Sequence, residues 1–219
     1  MLHQQVAELV RDFFAVQAHV ETTLLVNSCA RGQAVPDSDL DAAVPVKSSK
    51  SPEALKELET LWGDFAAGQP LIQQFRQCGR FSQVHLDVFD GRITPSIWDD
   101  GGGPDSFEVE IGNRFAHSLP LQEAGPRFRE LRGEWLPYYR EDLRLRRLAM
   151  VRDACAHDLD YLPFLLSRDL HFQAFDRLYK AHQEFLPGAL HCTEDFPDRL
   201  QQVDRVQVAG WLGLPDLYR

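Results

Sequence analysis

This chain has little with which to hold a nucleic-acid backbone or a membrane. Its formal net charge is -10 and it contains no basic tract. That disfavours an extended duplex-binding surface, because phosphate contacts need clustered cations. No apolar run approaches the roughly 20 residues that a membrane-spanning helix requires. The opening Met1-Leu2-His3-Gln4-Gln5 lacks the basic and apolar character of an export signal, so a cytoplasmic location is expected. The four cysteines, Cys29, Cys78, Cys155 and Cys192, form no Cys-x-x-Cys pair. Zinc is therefore not expected, and reduced thiols are the default. His157, His171, His182 and His191 follow no metal-ligand spacing, and no internal repeat is visible.

The chain has 219 residues, 44% of them hydrophobic and 26% charged, enough for a substantial core in one or two domains. Leu2, Val6, Leu9, Val10, Phe13 and Phe14 recur at helical spacing. Strands follow near 20–26 and 40–46. Ser51-Pro52-Glu53 opens a helix, with Ser51 as cap and Pro52 at its first position, and Leu55, Leu58, Leu61, Trp62 and Phe65 form its apolar face. A short helix near 70–77 precedes a strand at 83–89. Asp90-Gly91 reads as a hairpin turn with Arg92-Ile93-Thr94 starting the return. Gly101-Gly102-Gly103-Pro104 is a turn, since no strand leads into it and no helix opens after it. In Ser106–Ile111 the alternation of Phe107, Val109 and Ile111 with Glu108 and Glu110 predicts a strand with solvated glutamates.

From about Arg127 the period becomes helical. Pro137 and Pro163 divide the region into helices near 138–158 and 162–186, and a last helix near 196–212 carries Leu200, Val203, Val206 and Trp211. The arginines 127, 129, 132, 140, 144, 146, 147 and 152 are interspersed with acids and read as a solvated helix face.

The candidate chemistry lies in Asn27-Ser28-Cys29-Ala30-Arg31-Gly32, which follows the apolar Thr23-Leu24-Leu25-Val26, and in Ser38-Asp39-Leu40-Asp41, which opens the next strand. Strand side chains alternate faces, so Asp39 and Asp41 project together. Two adjacent carboxylates repel unless a cation lies between them. Hard oxygen donors of this kind suit Mg²⁺, which takes one or two protein carboxylates plus substrate phosphates. In Val84-His85-Leu86-Asp87-Val88-Phe89 a third acid, Asp87, shares a face with His85 and Phe89.

This pattern resembles the signature of the polymerase-beta-like nucleotidyltransferase superfamily. Ser28, Gly32, Ser38, Asp39 and Asp41 match it residue for residue, while Asn27 stands where the first glycine is expected. The resemblance implies an α+β fold: a small mixed sheet flanked by helices, followed by an α-helical C-terminal domain. Residues 1–120 would form the catalytic domain and 121–219 a helical acceptor-binding domain, similar to small bacterial antibiotic-modifying members. It further implies transfer of a nucleotidyl group, AMP, from ATP to a hydroxyl of a small molecule, with release of pyrophosphate. Two Mg²⁺ ions, or Mn²⁺, would be held by Asp39, Asp41 and Asp87. Asn27, Ser28, Ser38 and the backbone amides through Arg31 and Gly32 would hold the triphosphate at a helix start. Asn is the residue after glycine most tolerant of left-handed backbone, and its amide can donate to phosphate. Trp135, Tyr138, Tyr139 and Tyr179 are candidate acceptor walls, against a plain helix-packing role. Two alternatives stay open: transfer of AMP to a protein tyrosine, as antitoxin members do, and nucleotide binding without turnover.

Overall fold

The computed structural model describes residues 2–47, 52–93, 107–136 and 138–193. The chain is α+β: a small mixed sheet with flanking helices and, among the described residues, helices alone after the last strand. Among the described residues the sheet has four strands in the order β3-β2-β1-β4, with β1 at Leu24–Leu25, β2 at Leu40–Pro45, β3 at Val84–Phe89 and β4 at Leu119–Pro120. β1 runs antiparallel to β2 and β4, and β2 runs parallel to β3. Described residues of 1–92 and 113–134 make one compact unit, and those of 93–112 and from Trp135 onward make a second.

In the first unit, β2 is buried along its whole length. Leu40, Ala42 and Val44 face a core built from α1 (Leu2–Ala15), α3 (Pro52–Ala67) and α4 (Pro70–Arg76). α1 contributes Val6, Ala7, Val10 and Phe14, as its spacing requires. α3 contributes Leu58, Trp62 and Ala66, and α4 Ile72 and Phe75. Pro52 and Pro70 stand first in their helices, where a missing N–H costs nothing. Phe13 locks the layer by packing against Trp62 (5.3 Å) and Phe65 (4.7 Å). Because side chains alternate, Asp41 and Ala43 look away from these helices, toward the opposite face of the sheet.

Asp90 and Gly91 do turn the chain, with the Arg92 amide donating to Asp90 Oδ1 (3.0 Å) and Gly91 at φ +85°. A Cβ at Gly91 would also stand 2.6 Å from a methyl of Leu131. The return strand does not form at Arg92 and Ile93, and Thr94 lies outside the described residues. β3 takes its partner from β2 instead, so the turn leads out of the sheet.

The predicted strand at 106–111 is a helix, α5 (Phe107–Ile111), running into a π-helical turn at Gly112–Ala116. Phe107 and Ile111 are four apart and both buried, so a five-residue alternation also fits one helical face. Glu108 is buried as well, at 1% exposure, which no solvated strand residue would be. α6 (Pro126–Trp135), α7 (Glu141–Asp160), α8 (Leu162–Leu166) and α9 (His171–Thr193) follow. α7 packs on α9, with α8 joining them.

The helix expected over 162–186 is broken in two. Asp169 adopts φ +56°, and the Asp169 and Leu170 amides donate back to Leu166 O (3.1 Å) and Leu165 O (3.0 Å). Aspartate tolerates the left-handed region better than most residues, and that conformation ends α8. The helix expected at 196–212, Ser51 and the triple glycine at 101–103 lie outside the described residues.

Candidate functional site

The loop after β1 is built on two left-handed residues. Asn27 has φ +53° and Gly32 φ +69°. Asn27 therefore stands where a glycine would be the least strained residue, and it meets the requirement as asparagine does elsewhere. Between them α2 (Asn27–Ala30) makes a single turn. The Val26 amide donates to Asp41 O (3.0 Å) and the Cys29 thiol to Asp39 O (3.5 Å). These two bonds fix the loop against the start of β2. The Asn27 Oδ1 atom is buried and accepts no hydrogen bond among the described residues.

The amides expected to face phosphate are partly committed. Those of Arg31 and Gly32 donate inside the turn, to Asn27 O (3.2 Å) and Cys29 O (3.3 Å). Ser38 serves the loop itself, with its Oγ accepting the Val35 amide at 2.9 Å. The Arg31 guanidinium reaches Gln33 Oε1 (3.4 Å) and Asn113 Oδ1 (3.2 Å).

Asp41 is 9% exposed, and the side chain of Asp39 just before β2 is 31% exposed. Their combined field is felt by Cys29. Burial first, then Asp41 and Asp39, push its thiol up to about 11, with the Ser28 hydroxyl opposing. The thiol is therefore neutral at physiological pH and adds no third charge beside the two carboxylates.

Parallel register places His85 beside Asp41 and Asp87 beside Ala43. All four then share the sheet face opposite α1, α3 and α4, but Asp87 sits one diagonal step beyond Asp41, about 6–7 Å further along the strand. His85 Nε2 lies 3.6 Å from Asp39 Oδ2. Asp87 is taken by another partner: Arg114 Nε donates to its Oδ2 at 2.8 Å. The Arg114 side chain is 15% exposed and its guanidinium lies 4.6 Å from the Phe89 ring centre. Among the described residues no three His, Cys, Asp or Glu side chains are grouped to hold one metal ion. Asp39 and Asp41 supply two carboxylates, and a divalent cation shared with substrate phosphates needs no more than two from the protein. Asp87, bonded to Arg114, does not fit a second ion in this arrangement.

Sequence reasoning left out His85 and Arg114. Period-two alternation already places His85 on the face of Asp87. Nothing near Arg114 in the chain signals its role, since its partner is 27 residues away.

The second unit holds a buried ionic cluster. Arg147, 2% exposed, makes a bidentate pair with Glu108, Nε to Oε1 at 2.6 Å and Nη2 to Oε2 at 2.7 Å. The Tyr139 hydroxyl also donates to Glu108 Oε1 (3.4 Å) and receives a bond from Tyr138 (2.8 Å). Burial, joined by the Glu108 charge, drives the Tyr139 phenol far above its ordinary range. Arg147 is thus no part of a solvated face, although Arg140, Arg146 and Arg152 are, paired with Asp142 and Asp153, while the largely buried Arg144 pairs with Glu141. Trp135 and Tyr139 pack on Phe107 at 5.8 and 5.4 Å, while Tyr179 is exposed on α9 and stacks on Phe175.

No protein family matches this sequence, and no curated protein matches it. Among solved structures the chain is similar to one described as "Crystal structure of the toxin-antitoxin with AMP-PNP", at 17% identity and a TM-score of 0.41, over 70% of this chain and 98% of that one. A likeness at that level says nothing of activity.

Proposed function

We propose that this chain is a metal-dependent nucleotidyltransferase that moves AMP from ATP to a hydroxyl of a small molecule. The observation that carries the reading is the fastening of the Asn27–Gly32 loop to the two acids. Val26 N–H on Asp41 O and the Cys29 thiol on Asp39 O hold a left-handed loop against the backbone of the two acidic residues. Asp39 and Asp41 would hold the divalent ion, Mg²⁺ or Mn²⁺. Bound there with a triphosphate, that ion would offset the leaving group's charge and acidify the acceptor hydroxyl.

The chain's own groups have the remaining tasks. Asn27, Ser28 and the loop backbone position the β- and γ-phosphates, with Arg31 as a nearby cation. Asp87, its side chain nearly half exposed, orients the acceptor hydroxyl and takes its proton. The acceptor oxygen bonds to the α-phosphorus as the bond from that phosphorus to the bridging oxygen breaks, and pyrophosphate leaves with the electron pair.

The test is pyrophosphate release from each nucleoside triphosphate with Mg²⁺ or Mn²⁺ across a panel of hydroxylated acceptors. Asp39→Asn and Asp41→Asn should each lower turnover by about 100-fold or more while the fold stays intact. Turnover that survives both substitutions would remove the proposal. The Arg114–Asp87 pair favours a second reading, a nucleotide-binding regulator in which the third acid is withheld from chemistry. Tight nucleotide binding without pyrophosphate release for any acceptor, small molecule or protein tyrosine, would select it.

A further inference from the structure

We propose that α9 is a dimerisation helix. A second copy of this chain docks along it antiparallel, so that the aromatic ridge on the N-terminal half of α9 in one copy fills the apolar groove beside the C-terminal half in the other.

Two features of α9 lead there. The first is the ridge. Phe172, Phe175, Tyr179, His182, Leu186 and Ala189 follow the alternating three- and four-residue spacing that keeps one seam of a helix facing a partner helix. The opposite side of α9 already belongs to its own core, where Ala174 and Ala181 are buried. Phe172 and Phe175 stand 80% and 64% exposed instead, and Tyr179, stacked on Phe175 at 6.5 Å, is nearly half exposed. The second feature is the groove. α7 and α9 close tightly at Gly188, where a Cβ would stand 2.6 Å from a methyl of Val151. Around that point the small Ala189 and Cys192 leave, with Leu148 and Leu159 of α7, an apolar cavity of about 410 Å³.

Ridge and groove on the two halves of one helix select a second copy over an unrelated partner. With a two-fold axis near His182, antiparallel copies set each residue against the one equally far beyond that midpoint. Phe172 then meets Cys192 of the second copy, Phe175 meets Ala189, and Tyr179 meets Phe185. Bulky rings face small residues at both ends, and one rotation satisfies both ridges and both grooves, as an isologous interface requires. The area agrees. At about 200 Å² per aromatic side chain, the exposed parts of Phe172, Phe175, Tyr179 and Phe185 leave about 500 Å² of apolar surface in water. Few monomers carry a larger apolar patch. A stable interface covers about 800 Å² on each partner, about two-thirds of it apolar in homodimers, which these rings, the half-exposed Leu178 and the groove walls supply. Two copies of net charge -10 repel at long range, but Asp176 and Lys180 beside the ridge neutralise each other at 3.1 Å, so docking leaves neither of them buried alone.

The experiment is sedimentation equilibrium of the full-length chain over a range of concentrations, followed by cross-linking. A dimer with a Kd of about 1 µM or tighter is expected for the native protein. Phe172→Asp and Phe175→Asp should each weaken it by about 100-fold or more. Both side chains lie in water in the single chain, so these variants should fold, and circular dichroism checks that they do. Phe172→Cys then tests the register. Mild oxidation with copper phenanthroline should join the new thiol to Cys192 of the second copy, as peptide mass spectrometry reads, and adding Cys192→Ser should abolish that link. A native chain that stays monomeric overturns the proposal, whatever covers the ridge in the single chain, residues 194–219 included. A dimer that neither aspartate variant weakens, or a folded Phe172→Cys dimer in which no bond to Cys192 forms, overturns it as well.

Discussion

The Cys29 thiol donates to the backbone carbonyl of Asp39 at 3.5 Å, which makes a neutral sulfur the third neighbour of two carboxylates. The contact turns a cysteine with no catalytic duty into a reporter of the charge around it. Burial and the fields of Asp41 and Asp39 raise its thiol to about 11. Its alkylation by iodoacetamide, followed site by site with mass spectrometry, should reach half-maximal rate near that pH. Near pH 8 it should run about 100-fold slower than a free thiol peptide, since only thiolate reacts. Asp41→Asn should lower the midpoint, and Asp39→Asn should lower it less. A midpoint at an ordinary thiol value would show that the two acids do not bear on Cys29 as described.

Asn27 gives a test of backbone strain. With φ at +53°, glycine at this position should be tolerated and valine should not. Asn27→Gly is expected to leave urea stability within about 1 kcal/mol, and Asn27→Val to lose about 1–2 kcal/mol from the left-handed conformation alone. Equal stability of the valine variant would mean that the loop does not hold this conformation in solution.

The Arg147–Glu108 pair should behave as a buried ion pair. Arg147→Met leaves Glu108 charged and buried, and should cost about 3–5 kcal/mol in chemical denaturation. Replacing both, as Arg147→Met with Glu108→Leu, should recover most of that loss. If the double variant is no better than Arg147→Met, then the pair's value lies in its links to Tyr139 and Phe107 rather than in charge balance.

Glu184 sets a pH dependence. It is 1% exposed, and burial, together with the nearby negative charge of Asp158, raises its carboxyl to about 7, against the opposing pull of Arg177 and Lys180. Asp158 itself is ion-paired with Arg177. A raised folded-state value means the native protein holds this proton where the unfolded chain has released it. The associated stability is therefore fully present below about pH 4.5, the ordinary glutamate value, and is lost as pH rises through about 7. Glu184→Gln should flatten that decline and stabilise the chain near pH 8 by about 1–2 kcal/mol, or roughly 2–6 °C in Tm. Identical slopes for the two proteins between pH 5 and 8 would refute the assignment.

Much of this was legible in the chain. Helical spacing in Val6, Val10 and Phe14 named the face that α1 buries. Alternation in β2 and β3 put Asp41 and Asp87 on one side of a sheet, and the parallel register agrees, while Asp39 stands just before β2. The demand for left-handed backbone at position 27 followed from a glycine expected where asparagine stands, and Asn27 has that conformation. The misread elements were short or irregular. Five residues at 107–111 cannot separate a strand from one turn and a half of helix. The break at Asp169 carries neither proline nor glycine to announce it.

The sequence by itself determined the periodic faces and the left-handed position at Asn27, because each depends on neighbours within a few residues. Only the tertiary structure decided what the remaining charges do. Arg114 reaches Asp87 across 27 residues, and Arg147 reaches Glu108 across 39. Such pairs depend on which strands and helices become neighbours after folding. A charged side chain carries no local mark that separates a solvated arginine from one that neutralises a buried or functional acid, because burial and partner choice are properties of the packed chain.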